Sequence, residues 1–149
     1  MSEPTKAAYP QQPLTGRPRS VEMPERLAIG VGGLAGAYVR VIVNQLIGPP
    51  GGGWPWATFT VNVAGAFVLG YLIARLLERL PPSTYRRPLL GTGFCGALTT
   101  FSTLQFELFD LIRIGRPGLA VAYAAASVVA GFAAFFTAMA LVRRARVAL

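Results

Sequence analysis

The chain has 149 residues, 53% hydrophobic and 13% charged, with a net charge of +8, one cysteine and no histidine. A lone cysteine excludes an intrachain disulfide, and without histidine the usual transition-metal cages and histidine-based catalysis have no donors. The positive charge comes almost wholly from arginines at the ends of apolar blocks, which points to anionic lipid rather than nucleic acid as the surface it meets.

Residues 1–26 hold Pro4, Pro10, Pro13, Pro18 and Pro24, a glutamine pair and scattered charges, a composition that predicts a disordered cytoplasmic tail. The tail lacks the apolar core of a cleavable signal peptide. Four apolar blocks follow, at 27–47, 57–77, 89–112 and 118–142. Each approaches or exceeds the roughly 20 residues that cross a hydrocarbon core of about 30 Å. Gly48-Pro-Pro-Gly-Gly-Gly-Trp-Pro-Trp56, Pro81-Pro-Ser-Thr-Tyr-Arg-Arg-Pro88 and Gly115-Arg-Pro-Gly118 break the blocks apart, and Trp54 and Trp56 suit a headgroup interface. The expected fold is an all-α membrane protein with one four-helix transmembrane domain over 27–142 and a basic cytoplasmic C-terminus at 143–149. Cys95 falls in an apolar stretch and reads as a packing residue.

Lys6, Arg17, Arg19, Arg26, Arg75, Arg79, Arg86, Arg87, Arg143, Arg144 and Arg146 fall on one side of this topology, against Arg113 and Arg116 on the other. The positive-inside rule then places both termini in the cytoplasm. Gly32 and Gly36, Gly33 and Ala37, and Ala66 and Gly70 repeat small residues four apart, as do Ala126, Ala130 and Ala134. Such spacing lets helix backbones approach closely where lipid removes the hydrophobic drive. Four short helices enclose little volume, so a polar path forms more readily between subunits, and an oligomer, most simply a dimer, is expected.

Inside the predicted spans the polar groups are few. Arg40 either snorkels to the interface or sets a fixed positive charge that draws anions into a vestibule. Asn62 offers an amide either to a neighbouring helix or to a pathway. Gly96-Ala-Leu-Thr-Thr-Phe-Ser-Thr103 places four hydroxyls in an apolar block, and lipid cannot hydrogen-bond to them. Thr99, Thr100, Ser102 and Thr103 can each bond back to a carbonyl one turn earlier, or they can line a water-containing path. Gly91, Gly93 and Gly96 weaken the helix ahead of them, so a local break is expected near its middle. Carbonyls freed there need a cation, water or another chain. Tyr123 and Ser127, one turn apart, extend the donors onto the fourth helix.

Three motifs carry a resemblance: Gly32-Gly-Leu-Ala-Gly-Ala-Tyr-Val-Arg40, Thr60-Val-Asn-Val-Ala-Gly65, and Gly93-Phe-Cys-Gly-Ala-Leu-Thr-Thr-Phe-Ser-Thr103 with Glu107 following. Across 27–142 the chain resembles the CrcB/Fluc family of fluoride channels. The resemblance implies an antiparallel dimer enclosing two pores that pass fluoride passively and lower its cytoplasmic level. It makes Gly96 and Thr99 backbone ligands of a structural sodium ion and Phe101 a pore ring whose edge faces the anion. It also makes Asn62, Ser102, Thr103, Tyr123 and Ser127 pathway residues, and Arg40 the vestibule arginine. A ring edge carries the positive part of the aromatic quadrupole, and carbonyl oxygens suit a hard cation.

Two departures stand out. The family's second pore phenylalanine falls three residues after Phe101, where this chain has Leu104, and Phe106 lies on another face. The lopsided arginine distribution is also foreign to a chain that inserts both ways. Together they suggest pairing with an inverted, differently charged paralogue. The competing readings are a small proton-coupled multidrug antiporter, for which only Glu107 and Asp110 are candidate carboxylates, and a non-conducting subunit. No acid–base or nucleophile constellation supports an enzyme.

Overall fold

A computed structural model describes residues 22–78 and 85–144, and every regular element among them is helical. Most of the expected tail and the 145–149 end of the expected C-terminal segment lie outside the described residues, as does the first half of the proline-rich second joint. Helix α1 spans Met23–Ile47, α2 Trp56–Glu78, α3 Gly96–Leu98, α4 Phe101–Arg113 and α5 Pro117–Arg144. A π-helical segment, Arg87–Cys95, precedes α3. Three stretches are long and apolar enough to cross a membrane, Met23–Ile47, Trp56–Leu76 and Pro117–Arg144, as a multi-pass membrane protein requires. The third apolar block is instead divided among the π-helical segment, α3 and α4.

Local chemistry sets the ends. Helix α1 starts inside the segment expected to be tail, because Pro24 suits a first helical turn and Glu25 faces the positive end of the helix dipole. It stops at Gly48, whose φ of 78° only glycine adopts easily and whose N–H closes onto the Asn44 carbonyl at 2.9 Å. Gly115, at φ 80°, turns the chain between α4 and α5, and Pro117 opens α5. In the π-helical segment the Gly96 N–H reaches back five residues to the Gly91 carbonyl. Pro88 has no N–H to give, and Gly91 and Gly93 resist the wider winding least.

Packing follows the small residues. A side chain at Gly32 would collide with the Leu89 carbonyl, and one at Gly36 with the Phe94 carbonyl. Gly93 in turn faces the Ile29 carbonyl. Helix α1 therefore runs alongside the π-helical segment and α3 in the same direction, backbone against backbone. Gly70 does the same for α2 against the Phe135 carbonyl of α5. Gly33, in the overlapping small-residue pair, meets nothing. The apolar outer faces, such as Leu34 and Val31 on α1 and Val129 and Phe132 on α5, are exposed.

The packing of the chain changes at Thr99 and Thr100, which are both extended (ψ 152° and 118°). Before them the chain packs on α1; after them α4 leaves α1 and packs against α5, with a lesser contact to α2. Leu111, Ala120 and Tyr123 form the buried centre of that second layer, with Trp54, Phe59, Leu104, Leu108 and Leu119 around it.

Candidate functional site

The site is built around the two extended residues. A peptide unit outside a helix has lost its partners, and in an apolar setting it must find new ones. Asn62, two turns into α2, supplies both for Thr100. Its Oδ1 accepts from the Thr100 N–H at 2.8 Å, and its Nδ2 donates to the Thr100 carbonyl at 3.1 Å. The Thr100 hydroxyl caps α4 by accepting from the Thr103 N–H at 3.2 Å and donates to the Thr103 hydroxyl at 2.9 Å. Ser102 Oγ lies 3.3 Å from the same Thr100 oxygen. Thr99 keeps to itself: its hydroxyl bonds back to the Cys95 carbonyl at 2.9 Å.

This arrangement releases particular carbonyls. In a continuous helix the Thr100 N–H would reach the Gly96 carbonyl and the Thr103 N–H the Thr99 carbonyl. Here Asn62 takes the first donor and the Thr100 hydroxyl takes the second. Gly96 is exposed, and a Cβ built on it would meet nothing, so its surroundings are open. Oxygens of this kind are hard donors suited to an alkali cation.

A second polar knot lies one turn along α4. Glu107 Oε1 accepts from the Thr58 hydroxyl at 2.7 Å, and Oε2 accepts from the Tyr123 hydroxyl at 2.8 Å. Thr58 is 1% exposed and Tyr123 fully buried, so one half-buried carboxylate ties α2, α4 and α5 together through two buried donors. The single Tyr123 proton is taken up by Glu107. Ser127 stands one turn further along α5, its buried hydroxyl without a hydrogen-bond partner. Trp54 meets the Tyr123 ring edge-on, with centroids 5.4 Å apart and planes at 78°. Its buried indole Nε1 also has no partner. Leaving a buried donor unpaired costs about 1–3 kcal/mol, so such groups call for a reason.

The structure brings Asn62, Thr100, Ser102 and Thr103 into one cluster, with Thr99 beside it bonded back to its own helix, and puts Tyr123 in the neighbouring knot with Ser127 one turn away and unpartnered. It places Phe101 at the start of α4 with 73% of its surface exposed, and Ser102 is exposed beside it. Leu104 turns inward against the Tyr123 cluster, whereas Phe106 is exposed. Phe106 lines a cavity of about 290 Å³ together with Thr103, Glu107 and Asp110. Asp110 is held by Arg113 at 3.0 Å. Arg40 continues the buried Ala28, Gly32, Gly36 register by one more turn. Because α1 packs on the π-helical segment, α3 and α2 and touches neither α4 nor α5, Arg40 lies on a different element pair from Phe101, Ser102, Thr103, Tyr123 and Ser127 within one subunit.

Sequence reasoning missed the roles of Thr58, Glu107 and Trp54. The signal for the first two was spacing: Thr58 and Asn62, and Thr103 and Glu107, are each four apart on otherwise apolar helices and share a face. For Trp54 there was none, since the interface already accounts for an indole near a helix end.

The family model described as CrcB-like protein, camphor resistance (CrcB), matches residues 27–139. A protein of Mycobacterium bovis named fluoride-specific ion channel FluC 1 is 54% identical over 123 residues, covering 83% of this chain and 93% of the relative. A Chlorobium phaeobacteroides protein named fluoride-specific ion channel FluC is 40% identical over 111 residues, 74% of this chain and 86% of its own. One of the same name from Bordetella bronchiseptica is 38% identical over 117 residues, 78% of this chain and 90% of its own. The chain belongs to the CrcB family.

Proposed function

We propose that this protein is a subunit of a passive, fluoride-selective channel of the bacterial plasma membrane that lets cytoplasmic fluoride escape. The observation that carries the reading is the hydroxyl cluster at the extended Thr99–Thr100 pair, in a chain whose relatives bear the name of such channels. Fluoride is small and strongly hydrated, so a pathway must replace its water with hydroxyl and amide donors. Ser102 and Thr103 are the side chains at the break placed to donate, and the exposed Phe101 ring would present a positive edge. Tyr123 and Ser127 continue this path along α5, and Arg40 raises the local anion concentration at its mouth. In this reading Asn62 acts first on the backbone of Thr100 and through it on the path.

An oligomer completes the reading. Phe101 and Ser102 face outward from the subunit, and an inverted second subunit is the partner that would cover them. The π-helical segment, α3 and α4 together make the third of four crossings, with both termini cytoplasmic. Gly96 and Thr99 carbonyls would hold a structural sodium ion, which neutralises the carbonyl dipoles released at the break and links the two subunits there. Leu104 and the one-sided arginine distribution favour an inverted paralogue over a second identical chain.

The test is fluoride efflux from liposomes containing the purified chain, alone and co-purified with a neighbouring paralogue. Fluoride-specific efflux without a proton gradient is expected. Proton-coupled cation flux would favour an antiporter, and an inert protein in both preparations a non-conducting subunit. Efflux by the chain alone as an antiparallel dimer would remove the paralogue from the account.

A further inference from the structure

Resting on the channel reading, we propose that Trp54 is an anion-binding residue of the pathway, its indole N–H donating to the ion between the outer loop and the Tyr123–Ser127 pair. The hydroxyl of Tyr123 has one proton, and Glu107 holds it at 2.8 Å. The donors left without a partner at this level are the Ser127 hydroxyl and the Trp54 indole N–H. The indole N–H can only donate, and at Trp54 it is buried without an acceptor. Its position fits the task. Trp54 lines a cavity of about 270 Å³ with Gly48, Pro49, Pro50 and Trp56, formed by the loop between α1 and α2. The same ring packs edge-on against Tyr123, so it spans from the loop cavity to the buried polar knot. Phe59 packs against Trp54 with centroids 5.6 Å apart and planes at 76°, which restrains the indole. The donor is therefore pre-organised and unpaired, as a transient ligand requires, whereas a structural indole would be matched to a carbonyl.

The experiment uses the full-length protein labelled with ¹⁵N-tryptophan in detergent. The chain has two tryptophans, and their indole resonances are assigned with Trp54→Phe and Trp56→Phe. Fluoride is expected to shift the Trp54 indole proton, and chloride at equal ionic strength to leave it in place. In liposomes Trp54→Phe, which keeps an aromatic ring and removes the N–H, should lower fluoride efflux about tenfold or more, the worth of one hydrogen bond to a charged group. The dimer should remain intact on size-exclusion chromatography. A Trp54 resonance unmoved by fluoride in conducting protein, or Trp54→Phe at unchanged flux, overturns the proposal. If the wild-type protein conducts no fluoride either alone or with the paralogue the channel reading fails, while an indole that still answers to fluoride and not chloride upholds the anion site. Should Trp54→Phe fail to fold, the wild-type titration decides.

Discussion

The side-chain amide of Asn62 pairs with the peptide group of Thr100 through two hydrogen bonds, at 2.8 and 3.1 Å, across 38 positions of sequence. The pairing makes an extended residue tolerable between two helical segments. Asn62→Ala should leave both Thr100 groups without partners and destabilise the fold by about 1–3 kcal/mol. Asn62→Asp keeps the acceptor but sets a second oxygen against the Thr100 carbonyl, so it should do no better. Thermal unfolding in detergent reads both.

Gly36 and Gly33 separate packing from composition. Any side chain at Gly36 meets the Phe94 carbonyl, whereas Gly33 faces open space. Gly36→Val should cost about 1–3 kcal/mol or prevent assembly, because backbone cannot give way as a side chain can. Gly33→Ala should be tolerated. The fraction eluting as folded protein from a sizing column measures the contrast.

Glu107 and Tyr123 are expected to act as one unit. Removing the Tyr123 hydroxyl leaves Glu107 with the Thr58 donor alone, and Glu107→Gln loses one of its two acceptor oxygens. Tyr123→Phe and Glu107→Gln should therefore be non-additive in unfolding free energy, with a coupling of about 0.5–3 kcal/mol in a double-mutant cycle. Additive losses would show that the buried contact carries no energy of its own.

Phe101→Ile should abolish fluoride efflux and leave the fold of the subunit unchanged, since an exposed ring at the start of α4 supports little within its own subunit. Unchanged efflux would take the ring out of the pathway. Leu104→Phe should raise the activity of the isolated chain if a missing ring edge is what limits it. Leu104 packs inward against the Tyr123 cluster, so the larger side chain should also lower the unfolding temperature.

Replacing sodium with a bulky organic cation throughout purification should reduce efflux if the Gly96 and Thr99 carbonyls hold the ion. The loss should reverse when sodium is returned. Efflux indifferent to sodium would leave those carbonyls to water or to the partner subunit.

Much of the fold was legible because its signals are local. Apolar blocks of spanning length, with glycine and proline between them, are read one segment at a time. Three blocks are single helices that match within a few residues, with Pro24 and Glu25 extending α1 into the expected tail, and the third is divided among three shorter elements. The motif of glycines and hydroxyls likewise marked Thr99, Thr100, Ser102 and Thr103 as one group, and all of them lie at the extended pair. Tyr123 and Ser127 were legible as neighbours on one face because helical spacing fixes that without a partner.

Sequence could not say who pairs with whom. Asn62 reads equally well as pathway or as interhelical contact until Thr100 is seen opposite it. Glu107 looks like an isolated charge until Thr58 and Tyr123, 49 and 16 positions away, converge on its two oxygens. Trp54 looks like an interface anchor until its N–H is found buried. Length, spacing and termination follow from residue chemistry along the chain, so the sequence determined the helices and the place of their interruption. The partners of each buried polar group depend on how α1, α2, α4 and α5 cross, and only the tertiary structure decided that. A hydrogen bond is made over about 3 Å, and no one-dimensional pattern specifies position that finely.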